Sequence, residues 1–196
     1  MMKTMKNKRT KALLVSFFLT ALVLVGFGYS RYSSADVPMM DAKTFSALTP
    51  QQALEASKVW HHTGKATVKV LPDHIEARLP NNERAKIALN GEFLLSIAPY
   101  INKTHNCTFH VPTGCQGELV EQPMHVMVTD KNTGKVVKNE MVTTGKDGFV
   151  DLWLPQGPNY EVMFHYNNMM AMETLPTQMD SRTCITTMRF KAGMSH

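Results

Sequence analysis

The order of apolar and polar positions divides this chain into a leader, a short mixed stretch and a long strand-rich stretch. Ala12 to Gly28 is almost wholly apolar. Asp36 to Ser46 has no clear period and reads as a short mobile lead-in. Thr49-Pro50-Gln51-Gln52 then carries the marks of a helix start, with Thr49 at the N-cap, Pro50 at the first helical position and Gln52 at capping-box spacing. Ala53, Leu54, Ala56 and Val59 continue the helix to about Trp60, and His61-His62-Thr63-Gly64 ends it. From there the period falls towards two. Thr67 to Leu71 and Ile75 to Leu79 alternate as strands about the turn-like Pro72-Asp73, and Arg84 to Leu89 is a third. Asn90-Gly91 is a strong hairpin signal, which predicts that Phe93 to Ala98 returns beside that third strand.

The second half repeats this pattern at closer intervals. Met124 to Thr129, Val136 to Thr143, Phe149 to Leu154, Tyr160 to Tyr166 and Thr183 to Phe190 read as strands. Asp130 to Gly134, Lys146-Asp147-Gly148 and Pro155 to Asn159 read as the turns between them. Short strands with turn signals roughly every ten residues suggest an antiparallel sandwich. The expected class is α+β, with a small N-terminal α+β unit over residues 36–101 and a mainly antiparallel, β-sandwich-like domain over residues 102–196.

Charge changes the picture through its location. The whole chain is formally +5, but six of its 21 Lys and Arg precede Asp36, and none of its 16 Asp and Glu does. Lys3, Lys6, Lys8, Arg9 and Lys11 lead into the apolar run, and Ser33-Ser34-Ala35 places small residues at a signal-peptidase site. Residues 1–35 are therefore read as a signal peptide cleaved after Ala35, with an uncleaved anchor as the rival. Placement outside the cytoplasm follows on either reading. The remaining chain holds 15 basic against 16 acidic residues, a formal charge of −1, which removes the argument for a nucleic-acid partner.

An exported chain makes its cysteines conspicuous. Cys107, His110 and Cys115 fall within the run Cys-Thr-Phe-His-Val-Pro-Thr-Gly-Cys, and Cys184 is the only other cysteine. One disulfide uses two thiols, so the third must pair elsewhere, bind metal or stay reactive. Thiolates and imidazole suit a cuprous ion or zinc. The competing reading is a Cys107–Cys115 disulfide with Cys184 buried, inside an exported structural or interaction domain of incidental metal affinity. The sequence leaves these two open. His105 lies two residues before Cys107 and ranks behind His110, while Glu118 is placed to orient His110. His61, His125, His165 and Met169-Met170-Ala171-Met172 are further soft donors for which packing or solvation is the simpler reading. Nothing specifies an oriented base with an oxyanion hole, so no hydrolytic activity is expected.

Three blocks taken together carry a resemblance. Cys107-Thr-Phe-His110-Val-Pro-Thr-Gly-Cys115-Gln-Gly-Glu118-Leu119, then Asp147-Gly148-Phe149-Val-Asp151-Leu-Trp153-Leu-Pro155, then Thr183-Cys184-Ile-Thr-Thr187-Met188 resemble the CueP family of periplasmic copper-binding proteins. The resemblance implies a copper-resistance protein and metallochaperone holding cuprous copper through Cys107, His110, Cys115 and Cys184, with zinc as a substitute. It also implies delivery to a periplasmic copper,zinc superoxide dismutase and exchange with thiol-disulfide oxidoreductases. Two thiols can supply two electrons, so reduction of cupric ion by Cys107 and Cys115 is expected to accompany binding. A homodimer stands as the alternative to a monomer.

Overall fold

The computed structural model describes residues 38–192; the expected signal peptide lies outside the described residues. Two helices open it: α1 (Ala42–Ser46) and α2 (Pro50–Val59). The lead-in expected through Ser46 is thus partly helical. Asp41 caps α1 by accepting from the Thr44 N–H at 2.7 Å, and Phe45 is buried beside the Trp60 ring at 5.9 Å between centroids. At α2 the capping box forms in both directions, with Gln52 N–H donating to Thr49 Oγ1 at 3.2 Å and Thr49 N–H donating to Gln52 Oε1 at 3.0 Å.

Eleven strands follow among the described residues: β1 (Thr67–Val70), β2 (His74–Arg78), β3 (Arg84–Ala88), β4 (Glu92–Ile97), β5 (Pro123–Asp130), β6 (Val136–Thr143), β7 (Val150–Pro155), β8 (Asn159–Tyr166), β9 (Met169–Pro176), β10 (Cys184–Ile185) and β11 (Lys191–Ala192). They make three sheets. The first is an antiparallel meander, β1-β2-β3. The second has the order β10-β4-β7 and the third β11-β9-β8-β5-β6. The second and third face one another. Phe93, Leu95 and Ile97 of β4 and Leu152 and Leu154 of β7 share one core with Val126, Val128, Val162 and Phe164 of the five-stranded sheet. A mostly antiparallel sandwich behind N-terminal helices makes the chain α+β, as its pattern predicts. No described helix is long and apolar enough to cross a membrane.

The turn at Asn90-Gly91 forms, with φ of 54° and 88° and a Glu92 N–H to Leu89 carbonyl bond of 3.0 Å. It does not fold β4 back on β3. β4 leaves the meander and pairs antiparallel with β7 and parallel with β10. Its burial explains why. Every residue from Phe93 to Ile97 is buried, so the strand needs cover on both faces, and the edge of a three-stranded meander cannot supply it. Its partners β7 and β10 lie beyond the boundary expected near residue 101. On the face away from the sandwich, Ser96 Oγ donates to Asp151 Oδ1 at 2.5 Å, and Lys58 of α2 meets Asp151 Oδ2 at 2.7 Å. Burial lowers the Lys58 ammonium's affinity for its proton, but the Asp151 carboxylate more than offsets this and leaves its pKa above the ordinary value.

Candidate metal centre

Between β4 and β5 the chain runs without regular structure, as the Pro112 and Gly114 loop predicts. What fixes this loop is hydrogen bonding to elements distant in sequence. Val70 N–H of β1 donates to the His110 carbonyl at 2.8 Å, and Val68 N–H donates to Thr113 Oγ1 at 3.2 Å. The end of α2 reaches it too, with His62 N–H donating to the Thr113 carbonyl at 2.9 Å and His61 Nε2 lying 2.9 Å from the Cys115 carbonyl. Thr183 is a junction: its hydroxyl accepts from His110 N–H at 3.0 Å and donates to the Val70 carbonyl at 2.7 Å. On the far side, Gly117 N–H donates to the Asp147 carbonyl at 2.6 Å. Gly148 is required there, because its φ is +78° and a Cβ would come within 2.8 Å of the Gly117 backbone.

These supports bring four donor atoms together. One ligand atom each from His105, Cys107, Cys115 and Cys184 lies within 4.8 Å of every other. All three cysteines are free thiols, and the Cys107 and Cys115 sulfurs are 3.6 Å apart. Cys184, at the start of β10, is fully buried; Cys107 and Cys115 are half-buried. The imidazole of this set is His105. Its Nε2 is buried and has no hydrogen-bond partner, which is costly for a nitrogen unless something else occupies it. Three sulfurs and one imidazole at this spacing fit a soft or borderline metal ion.

His110, also expected as a ligand, is more deeply buried than His105. Its ring is wholly buried and packs on Phe149 at 4.5 Å between centroids, with neither ring nitrogen hydrogen-bonded. It is not among the donors that lie within 4.8 Å of one another, although its side chain helps lower the Cys115 pKa. Glu118 does not serve His110 either. Its carboxylate accepts from Ile101 N–H at 2.7 Å, Asn102 N–H at 3.0 Å and Lys103 N–H at 3.2 Å, and so anchors the segment leading to His105 and Cys107. Burial opposes ionisation of Glu118, but these three N–H groups prevail and lower its pKa. The signal for His105 was its spacing of two from Cys107, which sequence position alone ranked below a histidine lying between two cysteines.

The three thiols share protons unequally. Hydrogen bonding from Cys107 and then Cys184 lowers the Cys115 pKa against burial, with help from His110 and the Val111 N–H, which lies 3.4 Å from its sulfur. Cys107 is pushed up to about 11 because its proton is held against Cys115. Cys184 is also raised, by hydrogen bonding to Cys107 and Cys115 and by burial. Of the three thiols, Cys115 is therefore the one that loses its proton most readily. Solvent reaches it through a cleft of about 490 Å³ at Cys107, bordered by Asn106, Arg182 and Thr186. A second, of about 420 Å³, lies at His105 beside Gln116 and Gly117.

Comparison with known proteins agrees with this geometry. The family described as "Periplasmic copper-binding protein CueP" matches residues 52–189, a span that contains all four converging donors. A solved structure described as "Crystal Structure of S.CueP" has the same fold at a TM-score of 0.66 and 23% sequence identity, covering 96% of this chain and 100% of that one. A search of curated proteins returns no match. With most of its length matched and a cysteine-histidine cluster in the matched region, this chain belongs to the CueP family of periplasmic copper-binding proteins.

Proposed function

We propose that this protein captures copper in the periplasm as the cuprous ion, held by Cys107, Cys115, Cys184 and His105, with His110 supporting Cys115 from the buried side. The observation that carries this reading is the convergence of three sulfurs and a His105 ring nitrogen within 4.8 Å of one another. Three thiolates favour a soft monovalent ion over harder cations. Cys115, the thiol that ionises most readily, provides a first point of capture.

The same sulfurs supply electrons when copper arrives as cupric ion. Cys107 and Cys115 sulfurs stand 3.6 Å apart, about 1.5 Å beyond disulfide bonding distance, so closure needs only a small movement. In the step proposed, two cupric ions take one electron each, Cys107 and Cys115 release whatever protons their sulfurs still hold, and one S–S bond forms. Re-opening that bond requires a thiol-disulfide oxidoreductase. The cuprous ion then passes to an acceptor, for which a periplasmic copper,zinc superoxide dismutase is proposed.

Reduced protein mixed anaerobically with cupric salt and a cuprous-specific chelator tests the redox step. Two chelated cuprous ions per protein disulfide are expected. No cuprous ion, or an unchanged yield from the Cys107→Ser/Cys115→Ser variant, contradicts it. Delivery is tested separately by incubating cuprous-loaded protein with metal-free copper,zinc superoxide dismutase. Copper remaining with the donor contradicts that step.

A further inference from the structure

The outer face of the five-stranded sheet carries residues that its exposure does not explain. Alternation turns Val126, Val128, Val162, Phe164 and Ala171 into the core, so positions 125, 127, 163, 165, 170 and 172 face outward. Polar residues are the expectation for such positions. All six are histidine or methionine.

Strand register gathers them into two rows. Met141, His125, His165 and Met170 stand opposite one another in sequence across β6, β5, β8 and β9. The next row contains Met127, Met163 and Met172. Directly opposed residues place their Cβ atoms about 5 Å apart, within reach of one ion for side chains of this length. The side chains have converged at the centre. The His125 and His165 rings are 6.2 Å apart between centroids, and His165 Nε2 lies 3.0 Å from the Met163 sulfur. Met141 and Met172 are 65% and 53% exposed, so these thioethers are not packing a core. The character is confined to one end of the face, since the next outward row is Thr129, Glu161 and Thr174. The first row ends at Lys191 of β11, one strand beyond Met170 and away from the histidine pair.

We propose that this face is a second cuprous site, with His125, His165 and Met163 as ligands and Met127 and Met170 beside them. Thioether sulfur is a soft, uncharged donor that accepts cuprous or silver ion and offers little to zinc or magnesium. Neutral donors at a surface hold the ion less tightly than thiolates, which makes this site an exchangeable one. It also requires no thiol, so it keeps its capacity when Cys107 and Cys115 are oxidised. The proposal stands independently of the cysteine centre.

Titration of the reduced mature chain with cuprous ion under anaerobic conditions tests it, with the methionine methyl groups labelled with carbon-13. The first equivalent should leave the Met163 methyl resonance in place, and the second should shift it with the His125 and His165 ring signals. Silver ion should reproduce both steps and zinc should not shift Met163. The His125→Ala/His165→Ala variant should lose the second equivalent and keep the first, and Met163→Leu should weaken the second at least tenfold. In a Cys107→Ser/Cys115→Ser/Cys184→Ser variant the Met163 shift should come with the first equivalent, which separates this site from the cysteine centre. Binding that stops at one equivalent, a second equivalent that leaves Met163 unmoved, or full retention in the histidine variant overturns the proposal.

Discussion

The Cys184 N–H donates to the Thr108 carbonyl at 3.2 Å. This bond helps join the loop that carries two of the cysteines to the strand that carries the third. The same carbonyl accepts from Thr183 N–H at 3.1 Å, so β10 is held against the loop at the point where its cysteine enters the cluster. Parallel pairing of Cys184 with Ser96 then ties the cluster to the centre of the sandwich. The metal centre is therefore a joint between loop and sheet.

The joint predicts a strong effect from a residue that carries no donor. Gly148→Ala places a side chain at positive φ and drives it into the Gly117 backbone. A cost of about 2 kcal/mol or more is expected, which lowers the melting temperature by roughly 4–8 °C for a chain of this size. Cuprous affinity should fall with it, because Gly117 lies only two residues after Cys115. Thermal unfolding beside a competition titration checks both effects, and a variant that melts like the parent contradicts this account of the turn.

The two histidines should separate by assay. His105→Ala should weaken cuprous binding about tenfold or more, since it removes a converging donor while changing a loop residue. His110→Ala empties a buried site against Phe149, so its main cost should be stability, roughly 1–3 kcal/mol. Chelator competition and melting curves on the same two variants give the ranking. The opposite ranking would make His110 the ligand.

Thiol acidity sets a pH signature. The Cys115 pKa is lowered, so its alkylation rate should level off at lower pH than that of an ordinary thiol. Cys107, at about 11, should react about tenfold faster per pH unit until that value is reached. Binding of all three sulfurs as thiolates then displaces fewer than three protons at neutral pH, chiefly from Cys107 and Cys184. Affinity should accordingly rise with pH. Mass mapping of alkylated peptides and proton release on cuprous binding are the measurements; release of three protons would mean that no thiolate is preformed.

Glu118 offers a check on the loop anchor. Its carboxylate pKa is below the ordinary value, so the stability it contributes is present at neutral pH and is lost as pH falls through that lowered value. Glu118→Gln should melt below the parent at pH 7, by an amount on the order of 1 kcal/mol for hydrogen bonds at a largely exposed backbone. The two curves should converge in acid. A difference that persists in acid would assign the effect to packing.

Local signals in this chain were legible, and long-range ones were not. The α2 capping box, the Pro72-Asp73 turn and the alternation of β5 and β8 depend on residues a few positions apart, and each appears where the pattern places it. Asn90-Gly91 also makes its turn, but no pattern says which sheet receives β4 afterwards. Asn167 and Asn168, both at positive φ, form a tight turn into β9, and the methionine run after them is a strand with alternating faces. The three cysteines were legible as a set because an odd thiol in an exported chain lacks a structural use. The burial of His110 against Phe149 depends on β1 and Thr183 holding its backbone, through contacts distant in sequence.

Copper-edge X-ray absorption on the protein loaded with one equivalent of cuprous ion tests the central claim most directly. A sulfur-dominated shell with one imidazole nitrogen is predicted, losing sulfur in Cys184→Ser and its nitrogen in His105→Ala. A nitrogen and oxygen shell, or a spectrum unchanged by Cys184→Ser, would contradict it.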